Sequence, residues 1–155
     1  MELRHTIAAR LHLLHRWNCP WASDARPDTA YIGQYGELVA ASWARAHGMR
    51  ILRHNFRWGH AGEIDLVCRQ GDTLVFCEVK STTSPDAGAP ARAVHRHKRQ
   101  KQRSGALRWL QLLGKEVPIR FDIIEVWLLP GHPPRIRHSP AAFSLHEHAA
   151  SLPPL

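Results

Sequence analysis

Leu3, Ile7, Leu11 and Leu14 recur at helical spacing with Arg and His between them, which predicts a short basic amphipathic helix over residues 1–16. The stretch from Cys19-Pro20 through Arg26-Pro27-Asp28 is punctuated by proline and aspartate and reads as a linker. From Gly33 to about His47 the pattern is again helical, and Gly48 supplies a left-handed stop. Met49 to Arg57 predicts a strand centred on Ile51, followed by a turn over Trp58 to Gly62. A second strand runs from Glu63 to Arg69, a hairpin turn follows at Gln70-Gly71-Asp72, and Thr73 to Lys80 is a third strand. After the polar loop Ser81 to Ala89, Pro90 suits the first turn of a helix reaching about Leu113. Arg120 to Leu129 predicts a fourth strand, and the proline-rich remainder reads as a short edge element and a tail. The order α-β-β-β-α-β predicts an α/β domain with a central mixed sheet flanked by helices. Residues 1–30 are expected to be an extension and linker, 31–143 the domain and 144–155 a C-terminal tail.

At 155 residues and 44% hydrophobic content, the chain is sized and composed for one globular domain. Lys and Arg number 21 against 13 acids, a net charge of +8, which favours polyanionic partners. The three cysteines, Cys19, Cys68 and Cys77, lack paired spacing, so neither a disulfide framework nor a zinc knuckle is expected. Cys68 and Cys77 sit in apolar runs and read as buried thiols. No stretch approaches the roughly 20 apolar residues that cross a bilayer. Arg4, His5, Arg10 and His12 interrupt any signal-peptide core, so a cytoplasmic protein without a membrane partner is expected. The spacing of His12, His15 and Cys19 is what a histidine-rich extension produces by chance. Trp17 and Trp21 read as packing residues.

Candidate chemistry is concentrated in Gly62-Glu63-Ile64-Asp65-Leu66 and Phe76-Cys77-Glu78-Val79-Lys80. Side chains alternate along a strand, so Glu78 and Lys80 share one face while Val75, Cys77 and Val79 line the other as core. A meander sets the Asp65 strand beside the Glu78 strand, where two carboxylates can converge. Two such oxygens are a minimal hard-ligand set for Mg²⁺, and a nearby lysine can orient water or stabilise phosphoryl oxygens. Glu and Lys at this spacing are also ordinary solvated neighbours. Asp65 is different, because an acid inside Ile64-Asp65-Leu66-Val67 requires a partner: a metal or a structural pair. Glu37 shares a helix face with Ala40 and Ala44, so it either meets a metal or its water or caps the first turn at the edge of that face.

Taken in order, several segments resemble the YraN family of predicted endonucleases: Gly33, Gly36-Glu37 and Ala40; Gly48, Ile51-Leu52, Asn55 and Arg57; Gly62 to Leu66; Phe76 and Glu78-Val79-Lys80; Gly88, Pro90, Val94 and Lys98; and Arg120-Phe121-Asp122. The resemblance covers roughly Gly33 to Val126. It implies a restriction-endonuclease-like core similar to Holliday-junction resolvases, with Asp65 and Glu78 as metal ligands, Lys80 as the catalytic lysine and Glu37 as a helix-borne acid. Ile64 stands where many nucleases of this fold have proline before the aspartate, as is normal in this family. Ser81-Thr82-Thr83 replaces the basic residue common after the lysine.

The expected activity is nuclease chemistry dependent on Mg²⁺ or Mn²⁺, with DNA favoured over RNA by analogy to junction resolvases. Between Arg92 and Arg108 the second helix carries Arg96, Lys98, Arg99, Lys101 and Arg103 and no acid, which beside such a site reads as a phosphate-tracking face. Arg57, Lys98, Arg99 and Lys101 are the expected nucleic-acid contacts, Lys98 foremost because it falls at the family's position. Asp122 reads as paired with Arg120 or a neighbouring backbone group. The alternative function is a nucleic-acid-binding module of the same fold with little or no turnover. Homodimerisation is left open.

Overall fold

The structure, a computed structural model, describes Cys19 and residues 27–60, 62–85 and 96–145. The expected helix over 1–16, Trp17, Trp21 and the Pro90 start of the second helix lie outside the described residues. Helix α1 spans Thr29–Ala46, four residues longer at its start than the apolar pattern indicates. Gly36, Val39, Ala40, Ala41 and Ala44 form its buried face, small residues that let a helix lie close to a sheet. Gly48, with φ of 81°, turns the chain out of the helix at the expected place.

Strands β1 (Arg50–Trp58), β2 (Gly62–Gln70) and β3 (Thr73–Thr82) form the expected antiparallel meander. Helix α2 (Arg96–Leu113) then carries the chain across to β4 (Ile119–Trp127), which lies parallel to β3. The last element exceeds the expectation. Arg135–Phe143 is a full nine-residue strand, β5, antiparallel to β4 at the sheet edge. The expected short edge element is thus longer than the prolines suggest, because an edge strand tolerates at Pro140 a residue without an N–H. A bulge opposite Asp122 absorbs the irregularity, with Ala141 in the left-handed region at φ of 50°. The order of elements is thus α-β-β-β-α-β-β, in a five-stranded mixed sheet of order β1-β2-β3-β4-β5.

The sheet is covered on both faces. Val39, Ala40, Ala41 and Ala44 of α1 pack on Leu66, Cys68, Val75, Cys77, Val79, Ile124 and Val126. Ala106, Trp109 and Leu110 of α2 cover Ile64, Val67, Leu74, Phe76 and Phe121 on the other side. Cys68 and Cys77 are buried free thiols, as their apolar setting indicates. Cys19, inside the segment expected to be extension and linker, is buried in the α1-side core, and its N–H donates to the His132 carbonyl. No helix among the described residues is long and apolar enough to cross a membrane.

One contact fixes the height of α2 over the sheet. A Cβ added to Gly62 would lie 2.9 Å from the Gly105 Cα and 3.0 Å from its nitrogen, backbone atoms that cannot rotate away. Gly33, within α1, faces open space. Gly62→Ala is therefore expected to destabilise the protein by about 1–3 kcal/mol through overpacking. Gly33→Ala should stabilise it by about 0.5–1 kcal/mol through helix propensity. Chemical denaturation of both variants checks the pair; a neutral Gly62→Ala would show that α2 can move away without cost.

Candidate active site

Strands β2 and β3 pair only from Gln70–Thr73 to Leu66–Cys77 and then part. Beyond that point β2 continues beside β1 as far as Gly62, and β3 continues beside β4 as far as Thr82. The sheet therefore forks, and the residues flanking the fork are Glu63 and Asp65 on one side and Glu78 and Lys80 on the other. Parting strands leave backbone donors without partners. Asp65 Oδ2 answers one of them by accepting the Val79 N–H at 2.8 Å. The unusual acid in an apolar run thus has a structural partner on one oxygen, while Oδ1 is left facing the site.

Glu78 is 1% exposed, the more deeply buried of the two acids. Its Oε2 accepts a short hydrogen bond from Gln102 of α2. Its Oε1 lies 2.8 Å from Lys80 Nζ and 3.7 Å from Lys98 Nζ, yet no aligned hydrogen bond reaches this buried atom. Lys98 Nζ also lies 3.4 Å from Glu63 Oε2 and 4.0 Å from Asp65 Oδ1. Gln102 stands one turn beyond Lys98 and Gly105 a further turn on, so all three face the sheet from one side of the helix.

Burial pushes the Asp65 carboxyl up, and the neighbouring Glu78 adds to it, to about 7; the Lys98 charge and the Val79 N–H act in the opposite direction. Burial alone would lower the Lys98 ammonium, but Asp65, Glu78 and Glu63 outweigh it and raise it. The other two buried acids among the described residues behave differently. Burial would also raise Asp122, but hydrogen bonds from His138, Arg120 and the Ala141 N–H hold it below its ordinary value. Glu125 is paired with Arg137 of the adjoining strand. Asp122 is thus tied to Arg120 and a backbone group, as expected from sequence, and stands apart from the fork.

Of the expected site residues, Asp65, Glu78 and Lys80 come together. Glu37 approaches from α1 but is held by the Asn55 amide, which donates to its Oε2 at 2.8 Å. Burial raises its carboxyl and the charge on Asp65 contributes. Among the described residues no three of His, Cys, Asp and Glu are gathered closely enough to hold a metal on their own. Lys98 was expected on the outer, phosphate-tracking face, but it turns inward to the carboxylates. Arg57 is largely exposed, 3.4 Å from Glu63. Arg99 stacks over the Phe143 ring, and Lys101 is partly exposed. Glu63, Asn55 and Gln102 complete the arrangement without having been assigned roles from sequence. Gln102 gave the faintest signal, a polar residue in a polar helical run, one turn from Lys98.

Because Asp65 binds its proton more tightly in the folded chain than the ordinary 3.8 of an aspartate, stability should fall as pH rises between about 4 and 7. That dependence should be present in EDTA and weaker in Asp65→Asn. Denaturation midpoints of both proteins at pH 5 and pH 8 check it. Equal losses in the two would mean that Asp65 titrates normally.

The family model for the uncharacterised protein family UPF0102 matches residues 36–126. A UPF0102 protein of Anaeromyxobacter dehalogenans is 44% identical over 113 residues, covering 72% of this chain and 83% of the relative. One from Nocardia farcinica is 42% identical over 117 residues, covering 75% and 91%. One from Geobacter metallireducens is 40% identical over 115 residues, covering 74% and 93%. The matched segment of the family model contains the whole fork, from Glu37 through Lys98.

Proposed function

This chain belongs to the uncharacterised protein family UPF0102, and we propose that it is a metal-dependent nuclease acting at the sheet fork. The observation that carries this reading is a pair of buried acids, Asp65 and Glu78, which among the described residues have no arginine partner, where two strands part. Burying an anion is costly unless it is paired, and structural acids in this protein use arginine for that purpose. The resemblance to the YraN family of predicted endonucleases supports the same assignment, with a restriction-endonuclease-like core.

A divalent cation, Mg²⁺ or Mn²⁺, fits the donors present. Asp65 and Glu78 would hold it, and the buried Glu78 Oε1 that receives no aligned hydrogen bond is an oxygen suited to it. When bound, such a cation supplies Lewis-acid neutralisation of charge at the reacting phosphorus. Asp65 is kept in place by the Val79 N–H and Glu78 by Gln102, so neither carboxylate needs to reorganise. Lys80, partly exposed and 2.8 Å from Glu78, can donate a hydrogen bond to the attacking water or to a non-bridging oxygen of the phosphodiester. Glu37 completes the site from the α1 side, positioned by Asn55. Lys98 balances the acid charge. DNA is favoured over RNA on the likeness to junction resolvases. A binding module without turnover would share the basic surface but would have no use for two buried acids that repel phosphate.

Asp65→Asn and Glu78→Gln are expected to abolish cleavage of linear, nicked and four-way DNA in Mg²⁺ or Mn²⁺ while the proteins remain folded. Lys80→Ala should lower turnover about 10²–10³-fold, the usual scale for one transition-state donor, with metal affinity by calorimetry little changed. Cleavage by all three variants at the wild-type rate would sink the assignment.

A further inference from the structure

We propose that Trp58, backed by Arg108, is a stacking platform for an unpaired nucleobase, and that β1 guides a single strand towards it. The proposal rests on the nucleic-acid reading of the neighbouring fork and specifies the substrate class that this site receives.

Trp58 is the last residue of β1 and pairs in register with Gly62. Gly62 immediately precedes Glu63, whose carboxylate shares Lys98 with Asp65 and Glu78. Tryptophan is among the side chains that gain most from burial, yet Trp58 is 48% exposed. The Arg108 guanidinium lies 3.8 Å from the centre of its ring, and the same guanidinium donates to Gln111. An indole with a cation on one side and solvent on the other suits a base, since every base has a π-face. In a duplex those faces are stacked on one another, so an exposed ring selects bases outside a helix.

Charge leads to the same place. Among the described residues strand β1 is an outer strand, paired only with β2.

The nine residues of β1 carry three arginines, Arg50, Arg53 and Arg57, one histidine, His54, and no acid. All three arginines are exposed. At about 3.3 Å per residue they span roughly 23 Å, the length of several nucleotides of a strand. Two acids adjoin the strand: Glu63, matched by Arg57 at 3.4 Å, and Glu37, which accepts from the Asn55 amide at 2.8 Å. A polyanion laid along this edge meets the three arginines and reaches Trp58 beside the fork.

The test uses the full chain in EDTA, where binding is read without cleavage. Anisotropy is measured with a labelled single-stranded oligodeoxynucleotide, its ribonucleotide counterpart and the duplex of the same sequence. Trp58→Leu, which keeps an apolar side chain but removes the π-face, should weaken single-strand binding about tenfold, the scale of one stacked base. Duplex binding should change little, and Trp58→Phe should retain most of the affinity. Unequal losses on the two single strands would identify DNA or RNA as the preferred source of the base. The platform is overturned if the wild type does not bind single strands, if Trp58→Leu binds them like the wild type, or if it loses single strand and duplex alike. A wild type that binds single strands but never cuts in Mg²⁺ removes the nuclease reading and leaves the platform standing.

Discussion

Backbone lies against backbone where Gly62 of β2 passes beneath Gly105 of α2, and the geometry of the fork follows from that approach. With no side chain between them, the helix settles low enough for Gln102 to reach Glu78 and for Lys98 to reach three carboxylates. A methyl group at position 62 would meet atoms that cannot turn aside, so the helix or the strand would have to shift. Either shift would take the amide of Gln102 away from an acid that is 1% exposed. The same glycine begins β2, on the stretch that has already parted from β3 and runs beside β1.

The four buried acids among the described residues divide by the cations that accompany them. Asp122 and Glu125 have arginines, whose charge is permanent and whose planar fork matches a carboxylate. They fasten β5 to β4 across the bulge and along the edge. Asp65 and Glu78 have lysines, compact charges on flexible stems that can move away without dismantling a bidentate pair. Burial then works against Asp65 and raises its carboxyl, whereas hydrogen bonds overcome burial at Asp122. One pair of acids holds the sheet together, and the other is left able to accept a different cation.

The basic character of α2 is largely spent within the protein. Lys98 serves the acids, Arg99 and Arg103 lie over Phe143, and Arg108 covers Trp58. The helix therefore fastens β5 and the β1 end to the core as much as it presents charge. The outer strand β1, by contrast, keeps Arg50, Arg53 and Arg57 exposed.

Much of this was legible in the sequence because it depends on local periodicity. Alternation along Thr73 to Lys80 put Glu78 and Lys80 on the face opposite Cys77 and Val79, and the hairpin at Gly71 put Asp65 on the adjoining strand. Gly48 marked the end of α1 for a reason internal to glycine. The rest depended on contacts between residues far apart in the chain. Gln102 sits in a polar run that reads as solvent-facing, and only the descent of α2 onto Gly62 buries it. Lys98, foremost among the expected phosphate contacts, read as an outward charge, and only the fork sets three carboxylates beneath it. The edge element was expected but not its nine-residue length, because no local pattern reveals that Asp122 will hold the bulge by accepting the Ala141 N–H. Sequence alone determined which residues could form strands and which acids were out of place. Tertiary structure decided which cation each acid meets, because that depends on distances across the sheet that no spacing along the chain encodes.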